Sequence, residues 1–92
     1  MRGVKDEFKQ LDFAFSRERD CTDRQIKFIV AGYAAAQENN SASAELAARR
    51  YRKGEHRLAT CRHMHISESQ YYKLLSKFLS VAKVVYERLA AE

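Results

Sequence analysis

Apolar residues in this chain recur at steps of three and four, the spacing of helices and not of strands. Val4, Phe8, Leu11 and Phe15 mark one face of a short first helix, which the charged stretch 16–21 interrupts. Thr22-Asp23-Arg24-Gln25 has the T-x-x-Q form of a capping box, so a second helix is predicted to start there. Its apolar stripe reads as Ile26, Ile29, Val30 and Tyr33, with Gly32 and the neighbouring alanines leaving room for close helix approach. Glu38-Asn39-Asn40-Ser41, rich in turn and cap residues, is the clearest break. A third helix is predicted over 41–53, carrying Leu46, Ala47 and Tyr51 inward and Arg49, Arg50, Arg52 and Lys53 outward, with Gly54 placed to end it. A short fourth helix over 55–63 has only Leu58, Ala59 and Cys61 to bury.

The last element is the strongest. Ser67-Glu68-Ser69-Gln70 forms a second capping box, and helical sequence then runs to about Ala91. Tyr71, Tyr72, Leu74, Leu75, Phe78, Leu79, Val81, Ala82, Val85, Tyr86 and Leu89 fall on one arc of this helix. The arc covers about 180° of the wheel, wider than the roughly 100° stripe that one packed layer needs. One edge is therefore expected to pack on the chain's own helices and the other on a second copy. The alternative is a wholly intramolecular core in which the first two helices wrap the last.

Composition sharpens the fold. Among 92 residues there is no Pro and only three Gly, so the turn residues of a many-stranded sheet are missing. The expectation is an all-α chain of four to five helices with a C-terminal helix-turn-helix and a long C-terminal helix. Residues 1–40 form an N-terminal helical pair and 41–92 the helix-turn-helix region, within one compact domain. Residues 1–48 carry seven basic and eight acidic side chains, whereas 49–92 carry ten and four, nets of −1 and +6 within an overall +5. A field concentrated on one half suits a polyanion partner, nucleic acid before membrane. Residues 1–7 hold no apolar core of a secretory signal, and the longest apolar run, residues 28–36, falls far short of the roughly 20 residues of a spanning helix. Cys21 and Cys61 lie unpaired in spacing, as reduced thiols would. A cytoplasmic, soluble protein is expected.

Residues 46–82 supply a short helix, a turn and a capped second helix, the order of a helix-turn-helix whose second helix enters the major groove. Ile66 would staple the entry angle and Ser67 would cap beside the DNA. Glu68, Ser69, Gln70, Lys73 and Lys77 would project from the exposed turns toward bases or phosphates. Arg49, Arg50, Arg52, Lys53, Arg57 and Arg62 would form a cationic rim that neutralises phosphates.

Arg50-Tyr51, then Gly54, then Ile66-Ser67 followed by Tyr71-Tyr72 resembles phage late transcription regulators of the ArpU/RinA kind, whose C-terminal part is similar to region 4 of bacterial sigma factors. The resemblance spans about residues 46–89. It departs at Thr60-Cys61, where such proteins usually carry Ile-Ala, at Met64 in the usual Leu position, and in the more polar stretch 54–57. It implies a core role for Tyr71, a DNA-facing role for residues 68–70, 72 and 73, and control of late genes by promoter binding or contact with host RNA polymerase.

Other chemistry fits less well. His56, Cys61, His63 and His65 cluster in sequence, yet Cys61 and His63 fall about 200° apart on a helix and cannot chelate one ion. No Gly-rich phosphate loop or oriented Cys–His pair is present, so neither an enzyme nor a bound cofactor is expected. Two alternatives remain. In one the chain is an adaptor docking on RNA polymerase or another phage protein through the apolar arc. In the other it is an architectural DNA protein without sequence preference.

Overall fold

A computed structural model describes residues 4–91. Met1 to Gly3 of the stretch read for a leader, and Glu92, lie outside the described residues. The described residues are all-α: a 3₁₀ turn Asp6–Phe8 leads into α1 (Lys9–Ser16), and a second 3₁₀ turn, Glu18–Asp20, into α2 (Asp23–Asn39). There follow α3 (Ser41–Ala47), a π-helical turn Ala48–Arg52, α4 (Arg57–Met64) and the long α5 (Glu68–Ala91).

Local chemistry fixes the helix starts. At Thr22 both arms of the capping box close: Thr22 N–H donates to Gln25 Oε1 at 2.9 Å and Gln25 N–H donates to Thr22 Oγ1 at 3.3 Å. Asn40, in extended backbone, accepts from Ser43 N–H through its side chain, so α2 and α3 are separated by a single residue. Gly54 takes φ +63° beyond the π turn, the left-handed geometry that glycine adopts without a Cβ clash.

Phe15 is the hub of the core. It is fully buried and meets Phe28, Tyr33 and Phe78 edge-on, at centroid distances of 5.7, 5.5 and 5.0 Å. Burying one such ring contributes about 1.5–3 kcal/mol, and each edge-to-face pair adds about 0.5–1.5 kcal/mol. Tyr71, Leu75, Phe78, Leu79 and Ala82 bury α5 against α2, α3 and α1, in one core that draws on every α-helix. α1, α2 and α3 thus cover the arc of α5 as far as Ala82. Beyond it Val84, Tyr86 and Leu89 stay 47%, 54% and 37% exposed.

Three expectations need correction. Phe28, Ile29, Gly32, Tyr33 and Ala36 face the core from α2, while Ile26 and Val30 are exposed. Phe15 and Ala82 close on the Gly32 side, which turns α2 so that Ile26 and Val30 rotate outward. The third helix ends as α-helix at Ala47, because the backbone widens into the π turn, where Lys53 N–H donates to Ala48 C=O at 3.1 Å. In α4 the inward residues are Thr60 and Cys61, with Leu58 45% exposed.

Candidate nucleic-acid interface

α4 and α5 are joined by His65, Ile66 and Ser67, a three-residue turn within the range of a helix-turn-helix. His65 adopts left-handed backbone (φ 56°, ψ 47°), and its N–H and that of Ile66 turn back onto carbonyls of α4. Ile66 is half-buried and packs against the core. Ser67 starts α5 through a complete capping box: Ser67 N–H donates to Gln70 Oε1 at 2.9 Å and Gln70 N–H donates to Ser67 Oγ at 3.1 Å. Gln70 therefore spends its carbonyl oxygen on the helix start and keeps only its NH₂ for another partner.

Tyr71 is buried, its ring edge-on to Tyr72 at 5.2 Å. Tyr72 is half-buried on the α4–α5 seam, and its hydroxyl accepts from Arg57 Nη1 at 3.4 Å. Arg57 also lies 3.6 Å from Glu68. The Tyr72 hydroxyl and Glu68 together hold the Arg57 guanidinium above its ordinary pKa. Arg57, Glu68 and Tyr72 thus brace the two helices against each other. Ser69, Gln70, Lys73, Lys77 and Ser80 are exposed and, at 100° per residue, share one polar face of α5. Lys53, beside the π turn, and Arg62, on α4, are also exposed.

The remaining arginines of the expected rim fold back on the chain. Arg50 bonds Asp12 Oδ1 through Nε and Nη2, both at 3.3 Å, and Tyr71 Oη through Nη1 at 3.0 Å. Tyr51 hydroxyl donates to the same Asp12 oxygen. Burial opposes the charge on Arg50, but Tyr71, Tyr51 and Asp12 outweigh it and raise its pKa. Tyr51 loses acidity mainly to burial and then to its bond with Asp12. Arg49 reaches Glu55 at 3.3 Å and Glu45 at 3.5 Å. Arg52 pairs with Glu18 at 3.1 Å and stacks on Tyr33, its guanidinium carbon 4.0 Å from the ring centroid. Burial pushes the Tyr33 phenol up to about 12.

Glu55 gathers a second cluster. Thr60 hydroxyl donates to it at 2.8 Å, and His63 Nδ1 lies 3.1 Å from its other oxygen. The Thr60 bond leads in holding the Glu55 carboxyl below its ordinary value, with His63 and Arg49 adding to it. Burial raises the Cys61 thiol pKa, so this cysteine stays protonated inside α4.

The structure thus brings together Ser67, Glu68, Ser69, Gln70, Tyr72, Lys73 and Lys77 at the start of α5, but commits Arg49, Arg50, Arg52 and Arg57 to internal partners. Sequence reading missed Asp12, Glu18 and Glu55 as those partners. The i,i+4 spacing of Glu45 and Arg49 was a legible signal. The pairing of Asp12 with Arg50, 38 residues apart, left no local trace.

No family model matches the chain, and no curated protein or solved structure matches it either. Among the described residues no helix is long and apolar enough to cross a membrane, and no cluster of three or more His, Cys, Asp and Glu could hold a metal ion.

Proposed function

We propose that this chain is a duplex-DNA-binding transcription regulator that presents the N-terminal turns of α5 to the major groove. The observation that carries the reading is the three-residue turn into a doubly capped α5 whose first turns expose Ser69, Gln70, Lys73 and Lys77 on one face. A recognition helix needs that combination: a fixed entry angle, and exposed donors that are not spent on the fold. Arg62, Lys73 and Lys77 supply phosphate contacts. Ser69 and the NH₂ of Gln70 reach base edges, while Ser67, Glu68, Tyr72, Arg57 and Arg50 hold the helices in place. The likeness to ArpU/RinA-type regulators supports a phage late-gene role, in the cytoplasm, without catalysis or cofactor.

Tyr86 and Leu89 are exposed beside Phe28 at the far end of α5, in a cleft that Arg24 and Lys27 also line. This apolar end supports pairing of two copies, as palindromic half-sites require. The second reading assigns the same end to RNA polymerase or another phage protein, with no DNA contact.

Fluorescence anisotropy of a labelled random duplex, about three helical turns long, tests the DNA reading across a salt series. Log affinity should fall linearly with log salt, and Lys73→Ala and Lys77→Ala should each flatten the slope by about 0.9. Absence of binding at low salt, or slopes unmoved by both variants, would discard α5 as the DNA face and leave the adaptor reading.

A further inference from the structure

A cleft of about 780 Å³ lies between α1, the 3₁₀ turn Glu18–Asp20, the start of α2 and the π turn. Its apolar wall is Phe13, 60% exposed, together with Ile26. Val30, exposed one helical turn beyond Ile26, continues the strip along α2. Isolated exposed apolar side chains mean little, but Phe13 and Ile26 share one concavity, and Val30 extends its α2 wall. None of the three helps to build the core described above.

The rim of the cleft is cationic. Arg17 sits 5.0 Å from the Phe13 ring centroid and 3.7 Å from Asp20, and Arg52 pairs with Glu18. Glu18 and Asp20 are thus answered within the cleft. Arg19 and Lys53 lie on the rim with no carboxylate within ion-pair distance among the described residues. The cleft therefore offers an apolar wall and two unanswered positive charges. A sugar-phosphate backbone fits it poorly, because its closely spaced charges would run over Glu18 and Asp20, and it has nothing to set against Phe13 and Ile26. A peptide with spaced carboxylates meets both demands.

We propose that this cleft docks an acidic amphipathic segment of a partner protein. Apolar side chains of the segment pack on Phe13, Ile26 and Val30, and its carboxylates meet Arg19 and Lys53. The surface is separate from the exposed face of α5, so its occupation does not depend on the DNA reading.

The probe is a fluorescein-labelled synthetic peptide with Leu and Phe at helical i, i+3, i+4 spacing and Glu and Asp between them. Three controls accompany it: the same peptide with Gln and Asn for its acids, an oligothymidylate single strand, and sedimentation of the protein alone. The acidic peptide should bind, the neutral one roughly tenfold more weakly, and the oligothymidylate should not compete. Phe13→Ala should weaken binding roughly tenfold, as truncation of an aromatic anchor does. Arg19→Glu should weaken it through charge alone, and Lys73→Ala should leave it unchanged. Phe13 and Arg19 are exposed, so both variants should keep the parent's thermal midpoint. The proposal is overturned if the acidic peptide does not bind, if acidic and neutral peptides bind alike, or if Phe13→Ala has no effect. Competition by oligothymidylate would reassign the cleft to nucleic acid, and self-association abolished by Phe13→Ala would reassign it to a second copy.

Discussion

A Cβ built on Gly32 would sit 3.1 Å from Phe15 Cζ, and Phe15 has no freedom to retreat because Phe28, Tyr33 and Phe78 enclose it. Gly32→Ala should gain about 1 kcal/mol of helix propensity and lose about 1–3 kcal/mol to overpacking. The net expectation is a lower urea midpoint, and a higher one would show that Phe15 yields. His65 presents the opposite case. It holds a left-handed conformation that costs a non-glycine residue about 1–2 kcal/mol, against about 0.4–1 kcal/mol that glycine loses through a more flexible unfolded chain. His65→Gly should therefore raise the thermal midpoint slightly. At Glu55 the folded carboxyl has a pKa below its ordinary value of 4.5, so the stability it contributes is complete above that value and fades as pH falls through the folded pKa. Acid titrations of the parent and Glu55→Gln should differ most near neutrality and converge in strong acid. Parallel curves would remove the Thr60–Glu55–His63 cluster from the folding balance.

At the scale of elements, starts were more legible than faces or ends. Thr22, Asn40 and Ser67 announce their helices because a cap is a bond between neighbours in sequence. The inward face of α2 is set instead by which ridge Phe15 and Ala82 approach, and no local pattern records that choice. The π turn was equally hidden. It replaces the end of an apparently regular helix and redirects Arg49, Arg50 and Arg52 toward carboxylates from α1 to the α4 entry. Arg50 ties that turn to Asp12 of α1 and Tyr71 of α5 while its side chain is only 27% exposed. Arg50→Ala should cost about 1–3 kcal/mol of stability by urea denaturation, whereas Lys73→Ala should cost almost none. Equal stability of the two variants would make the Arg50 network ornamental.

For the whole molecule, the +6 of residues 49–92 overstates the charge free to meet a polyanion. Arg49, Arg50, Arg52 and Arg57 are spent on Glu45, Glu55, Asp12, Glu18 and Glu68, and Lys83 on Glu7, so the free positive field gathers on Lys53, Arg62, Lys73 and Lys77. The candidate site was thus legible as a region, because the second capping box and the charge asymmetry both lie in the sequence. It was not legible as a division between binding and bracing residues, because that division depends on acids brought in from α1 and the 3₁₀ turn. Contact of the exposed first turns of α5 with DNA can be read by amide chemical-shift mapping during titration with a random duplex. The largest shifts should fall at Ser69, Gln70, Lys73 and Lys77, with a smaller one at Arg62. Shifts confined to the Phe13–Ile26 cleft or to the Tyr86 end of α5, or no shifts at all, would contradict that contact.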